Sequence, residues 1–129
     1  MSNFLLDTHA FIWFIEGNED LSIAAREAIE DPEHQRFLSI ASLWEMSIKA
    51  SLGKLQVTRP ISQLIKKHVE GNDIQVLSIN GKHLEAMIDL PMHHRDPFDR
   101  LILAQATVEE LVLISRDGYF KSYDVDVLW

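Results

Sequence analysis

Four short apolar runs constrain the fold of this chain more than any other feature: Phe4-Leu5-Leu6, Phe37-Leu38-Ser39-Ile40, Ile74-Gln75-Val76-Leu77 and Leu111-Val112-Leu113-Ile114. Each is too short for a helix and too apolar for a strand with one wet face, so they predict strands buried on both sides. The segments between them carry helical spacing. In 21–29, Leu21, Ala24, Ala25, Ala28 and Ile29 share one helical face, and Asp31-Pro32 stops it. In 42–52, Ala41, Trp44, Ile48 and Leu52 form a stripe that Gly53 terminates. Further helices are expected over 10–15, 60–69, 80–90 and 97–108, and a short fifth strand over 123–127 at an edge. Strands alternating with helices predict an α/β fold, a three-layer sandwich around a short-stranded, mainly parallel central sheet.

A length of 129 residues fits one hydrophobic core, hence a single domain over 1–129. Apolar residues make up 47% and charged residues 25%, the balance of a globular protein. No run approaches the roughly 18 apolar residues of a membrane span. The apolar N-terminus contains Asp7 and lacks a basic leader, so it reads as structure rather than a signal peptide. The absence of cysteine removes disulfides, thiolate metal sites and a cysteine nucleophile, and fits a cytoplasmic protein. A net charge of −8 argues against holding nucleic acid by bulk electrostatics. Either the partner is not a polyanion, or bound cations invert the field locally.

Ligands of open parallel sheets bind outside the carboxyl ends of the strands, where strand order reverses. Four acids belong there. Asp7 directly follows the first strand, where it also reads as the N-cap of the next helix. Glu45 completes the pattern Ser42-Leu43-Trp44-Glu45, a capping box, and is spaced to pair with Lys49. In Asp96-Pro97-Phe98-Asp99, Asp96 is explained as a cap with proline behind it, whereas Asp99 points from the first helical turn at whatever that turn faces. Asp117, in Ser115-Arg116-Asp117-Gly118, follows the fourth strand and also reads as a turn residue. Four unrelated caps have no reason to share one sheet edge. Carboxylates ~4 Å apart at an effective dielectric near ~20 repel by about 4 kcal/mol per pair. A divalent cation compensates, and all-oxygen donors favour Mg²⁺ or Mn²⁺, ions that generate hydroxide and stabilise displacement at phosphorus.

Leu5-Leu6-Asp7-Thr8-His9, the 39–49 segment containing Glu45, Asp96-Pro97-Phe98-Asp99-Arg100-Leu101-Ile102 and Leu113-Ile114-Ser115-Arg116-Asp117 occur in the order found in PIN domains. The chain resembles that family over nearly its whole length, and within it the VapC-like toxins of toxin–antitoxin pairs. The resemblance implies a metal-dependent ribonuclease in which Asp7, Glu45, Asp99 and Asp117 hold Mg²⁺ or Mn²⁺ and position water against an RNA phosphodiester. It also implies that Ser115 supports the acidic site, that a cognate antitoxin covers it, and that the protein is a homodimer. Asp96 is kept as a structural cap with a supporting role. Arg100 and Arg116, each beside a proposed ligand, are the preferred contacts to the RNA backbone.

Two other readings stand beside this one. A phosphoryl-transfer protein of another α/β class also carries an aspartate after its first strand, but a phosphatase of the haloacid-dehalogenase type wants a second one where this chain has His9. A binding module would use the same acids only as caps and ion-pair partners. His9 with His93 and His94 matches no standard zinc spacing. Trp13, Trp44 and Trp129 are read as core or interface rather than base-stacking surfaces.

Overall fold

The computed structural model describes residues 2–55, 60–92 and 96–129. Its sheet has five parallel strands in the order β3-β2-β1-β4-β5, formed by Phe4–Leu6 (β1), Arg36–Ser39 (β2), Gln75–Leu77 (β3), Val112–Ile114 (β4) and Val127–Leu128 (β5). Leu5 lies opposite Phe37 on one side and Leu113 on the other, so β1 is the centre. The chain runs outward from β1 to β2 and β3, then crosses back to place β4 against the free edge of β1. The strand order therefore reverses between β1 and β4.

The central strands β1, β2 and β4 are stable at this length because both their faces are buried, whereas β3 departs from the expected double-sided burial, leaving Gln75 and Val76 exposed at the sheet edge. Phe4, Leu6 and Ile114 belong to a core cluster with Phe11, Ile29 and Met46, whereas Leu5 and Leu113 face an opposite cluster with Ile102, Leu103 and Phe120. Side chains alternate across a strand, so three residues anchor both helical layers. The first layer contains Thr8–Glu16 (α1), Ile23–Glu30 (α2), Ile40–Ser51 (α3) and Ile61–Leu64 (α4). The second is built on Pro97–Glu109 (α6), against which Gly81–Asp89 (α5) packs. This is the expected three-layer α/β arrangement, with its described strand pairings wholly parallel.

Several boundaries differ from the sequence reading for identifiable reasons. The third helix starts at Ile40 because the Ser39 hydroxyl caps it, accepting from the Ala41 N–H at 3.0 Å. Ser42 thus lies inside the helix, and the Ser42–Glu45 capping box does not form. The expected stripe of α3 does not bury as one face: Ala41 is buried, but Trp44 is 58% exposed and Leu52 62%, while Leu43 and Met46 are buried instead. Pro60 is the cap residue before α4, which continues through a π-turn at Ile65–Val69 and a 3₁₀ turn at Glu70–Asn72. The stop comes at Asp73, whose φ of 58° is left-handed, rather than at Gly71-Asn72. The last strand is not 123–127: a 3₁₀ turn at Gly118–Ser122 and the buried ring of Tyr123 delay contact with β4 until Val127.

Arg36, at the start of β2, is almost fully buried. Its guanidinium donates to the main-chain oxygens of Ile29 (2.5 Å), Asn72 (2.9 Å), His34 (3.2 Å) and Asp73 (3.5 Å). One planar group thereby joins the end of α2 and the turn before β3 to the sheet. Replacing it leaves buried carbonyls without donors, at a cost of about 2–3 kcal/mol. Urea unfolding of Arg36→Met is expected to show that loss with an unchanged slope; an unaltered midpoint would mean that water serves those carbonyls equally well.

Candidate functional site

The reversal between β1 and β4 creates an acidic crevice at the carboxyl edge of the sheet. Asp7 leaves β1 with extended backbone and caps α1, its Oδ1 accepting from the Ala10 N–H at 2.7 Å. Parallel pairing puts Ser115 beside it: the Ser115 hydroxyl donates to Asp7 Oδ2 at 2.5 Å and accepts from the Asp117 N–H at 3.0 Å. Asp117 in turn caps the following 3₁₀ turn, accepting from the Tyr119 N–H at 2.9 Å. The local capping roles expected for Asp7 and Asp117 are real. They orient these carboxylates at the crevice rather than replacing them.

Glu45 reaches the crevice from the second turn of α3. Its Oε2 pairs with Lys49 Nζ at 3.1 Å, whereas its buried Oε1 finds no hydrogen-bond partner among the described residues. The α3 register is set partly by Ser42, whose hydroxyl accepts from Thr8 Oγ1 at 2.9 Å and ties α3 to the first turn of α1. Asp96 caps α6, accepting from the N–H groups of Phe98 (2.9 Å) and Asp99 (3.1 Å), with Pro97 behind it. Asp99 stands in that first turn, half-buried.

These elements converge. Asp7, Glu45, Asp99 and Asp117 line one cleft of about 350 Å³, together with Asp96, Thr8, His9, Trp13, Lys49 and Arg116. Five carboxylates there meet the fixed cations of Lys49 and Arg116. Burial pushes the Asp7 carboxyl above its ordinary value of 3.8; hydrogen bonds from Ser115 and Ala10 and the nearby His9 oppose the shift, and the charge of Asp117 adds to it. The donor set is oxygen-only, and the unpartnered Glu45 Oε1 is a buried acceptor of the kind a hard cation satisfies. As the side chains stand, no three described acids or histidines meet closely enough to hold one ion.

Two sequence expectations change. Arg100 is not at this cleft: it is 8% exposed, and its guanidinium donates to the main-chain oxygens of Met87 (3.0 Å), Leu90 (3.3 Å) and Pro91 (3.0 Å). It closes the carbonyl end of α5, where unpaired acceptors need a donor, and is withdrawn as an RNA contact. Trp13 packs on the first core cluster as expected but is not confined to it, because it also lines the cleft. Thr8 and His9 were missed as lining residues; the His9-to-Trp13 spacing of one helical turn after Asp7 was the available signal. His93 and His94 lie outside the described residues.

Similarity to known proteins agrees with this geometry. VapBC2 from Rickettsia felis, solved bound to a promoter DNA fragment, superposes with a TM-score of 0.69 at 14% identity, covering 97% of this chain and 96% of that one. A toxin–antitoxin complex from Klebsiella pneumoniae gives 0.69 at 19% identity, with 98% and 97% covered. In sequence, the chain is 28% identical over 126 residues to Ribonuclease VapC22 of Mycobacterium tuberculosis, covering 95% of this chain and 93% of that protein. The PIN domain model matches residues 4–126, from the first strand through the last turn before β5, and the chain therefore belongs to the PIN-domain family.

Proposed function

We propose that this protein is an Mg²⁺- or Mn²⁺-dependent endoribonuclease, the toxin of a toxin–antitoxin pair, acting at the cleft of Asp7, Glu45, Asp99 and Asp117. The observation that carries the reading is the arrival of four carboxylates from four separate elements at one crevice of a PIN fold. Its similarity to a protein named as a ribonuclease, and its fold likeness to toxin–antitoxin complexes, support the substrate class and the partner.

The four acids would hold the ion, which when bound supplies an activated water and charge stabilisation at the scissile phosphate. Ser115 keeps Asp7 in place and orders the chain toward Asp117. Lys49 neutralises one oxygen of Glu45, leaving the other for the ion. Asp96 holds the first turn of α6 so that Asp99 is presented from a rigid start. Arg116 and Lys49 are the cleft cations that meet the RNA backbone, offsetting locally a chain of net charge −8. We read residues 1–129 as one catalytic domain working in the cytoplasm; no described helix is long and apolar enough to cross a membrane. The exposed Trp44 of α3 and Leu84 and Ile88 of α5 offer apolar surface for a homodimer, and a cognate antitoxin would cover the cleft.

Calorimetric titration with Mn²⁺ is expected to detect binding that Asp99→Asn weakens at least ~10-fold, about 1.4 kcal/mol. Equal binding by both chains would remove Asp99 from the ligand set, and no binding by either argues for a carboxylate cluster with only structural roles. In cells, the unsubstituted chain is expected to arrest growth and Asp7→Asn to be tolerated; equal tolerance would remove the toxin assignment.

The raised Asp7 pKa gives a signed test. A folded pKa above the unfolded one stabilises the fold fully below about 3.8, and that contribution is lost as pH rises through the folded value. In chelator, Asp7→Asn is therefore expected to melt above the unsubstituted chain at neutral pH, with the difference shrinking on acidification. Excess Mn²⁺ should reverse the order, because only the carboxylate gains from the ion. A variant that melts lower in chelator at every pH would contradict the raised Asp7 pKa.

A further inference from the structure

Part of the cleft lining is aromatic rather than acidic. His9 and Trp13 lie one helical turn apart on α1, their rings 5.8 Å apart, and both line the cleft. Trp129 packs against Trp13 edge-on at 5.8 Å, fixing the indole from the protein side. The guanidinium of Arg116 lies over the indole ring, 5.4 Å from its centroid. Arg116 is 57% exposed, and its ion pair with the equally exposed Asp20 spans 3.9 Å. A solvent-exposed cation–π contact and a long exposed ion pair are both weak restraints. A buttressed aromatic ring thus stands in the wall of an acidic crevice, covered only by a side chain that is easily displaced. Trp44 supplies the contrast: it is more exposed, but it stacks on Phe98 and lies outside the cleft.

We propose that Trp13 is a stacking platform for one unpaired nucleobase next to the scissile phosphate, and that Arg116 leaves the indole face to pair with that nucleotide's phosphate. This rests on the ribonuclease reading and narrows its substrate to RNA that is single-stranded at the cut. A base stacks on an aromatic side chain only when its own face is free, which a duplex does not offer. The cleft, about 350 Å³, is on the scale of a single nucleotide. Stacking is tolerant of base identity, so the platform selects unpaired RNA rather than a particular letter. It also gives a strongly acidic chain a source of affinity that does not depend on charge. Arg116 precedes Asp117 directly in sequence, so its swing moves a cation within the segment that carries a proposed ligand.

The test uses the full chain carrying Asp99→Asn, to block cleavage, with fluorescein-labelled twelve-nucleotide strands: oligoadenylate, the same ribose-phosphate chain without bases, and oligoadenylate annealed to its complement. Anisotropy titration is expected to show Trp13→Leu weakening oligoadenylate about 5- to 100-fold, Trp13→Phe weakening it by no more than about threefold, and the abasic strand unaffected by either. The duplex should bind weakly and without dependence on Trp13. Because Trp13 also packs on the core, a second readout avoids substituting it: in a Trp44→Phe chain, oligoadenylate should quench the remaining indole emission and the abasic strand should not. Oligoadenylate binding indifferent to Trp13→Leu, equal loss of the abasic strand, or an absence of base-dependent quenching overturns the platform and leaves the ribonuclease reading standing. Failure of the parent chain to bind any strand, with Mn²⁺ binding intact in the chain that retains Asp99, would instead sink the RNA reading itself.

Discussion

The acidic edge depends on one hydroxyl. Asp7 is taken out of water at the tip of the central strand, where its charge is costly, and Ser115 Oγ both donates to it and accepts from the Asp117 N–H. That bridge exists only because β4 pairs with β1 in register, Leu6 opposite Ile114, leaving each strand's next residue at the same height. Removing the pairing would scatter Asp7, Ser115 and Asp117 along 110 residues of chain. The sheet is therefore less a support for the site than the device that assembles it.

Around that bridge, ordinary helix-capping chemistry has been put to a second use. Asp7 and Asp96 each satisfy main-chain donors at a helix start, which fixes the direction of the carboxylate or of its neighbour. Capping and candidate ligation are not competing explanations here, because a carboxylate oxygen has more than one acceptor position: Asp7 accepts from Ala10 at Oδ1 and from Ser115 at Oδ2 and keeps further lone pairs. Glu45 solves the same problem without a cap, dividing its oxygens between Lys49 and an unpartnered buried position. A chain of net charge −8 concentrates five acids in one cleft and answers them with few fixed cations. Burial raises the Asp7 pKa, with the charge of Asp117 adding to it, and the excess of acids over cations in the cleft is the physical ground for proposing a metal.

Among the described residues, the two buried arginines illustrate how little residue type says about use. Arg36 and Arg100 spend their guanidinium groups on main-chain carbonyls at turns and helix ends. Arg116, similar in sequence setting to Arg100, stays at the surface over an indole ring. Both lie one residue from a proposed ligand, so adjacency alone could not separate a strut from a substrate contact.

Much of the architecture was legible in the primary structure, because burial on both faces makes the central strands largely apolar and helix ends demand recognisable caps. The alternation of such runs with helical spacing specified an α/β sandwich, and the ends of those runs located Asp7, Asp99 and Asp117. Tertiary structure alone decided the rest. Periodicity says that Ala41, Trp44, Ile48 and Leu52 share a face of α3, but not which way that face points; packing turned Leu43 and Met46 inward, Trp44 outward and Glu45 to the cleft. The bond between Ser115 and Asp7 spans 108 residues and has no local signature. Whether Trp13 joined the core or the cleft depended on where Trp129 and Arg116 came to rest, and contacts between segments that distant arise only when the sheet closes.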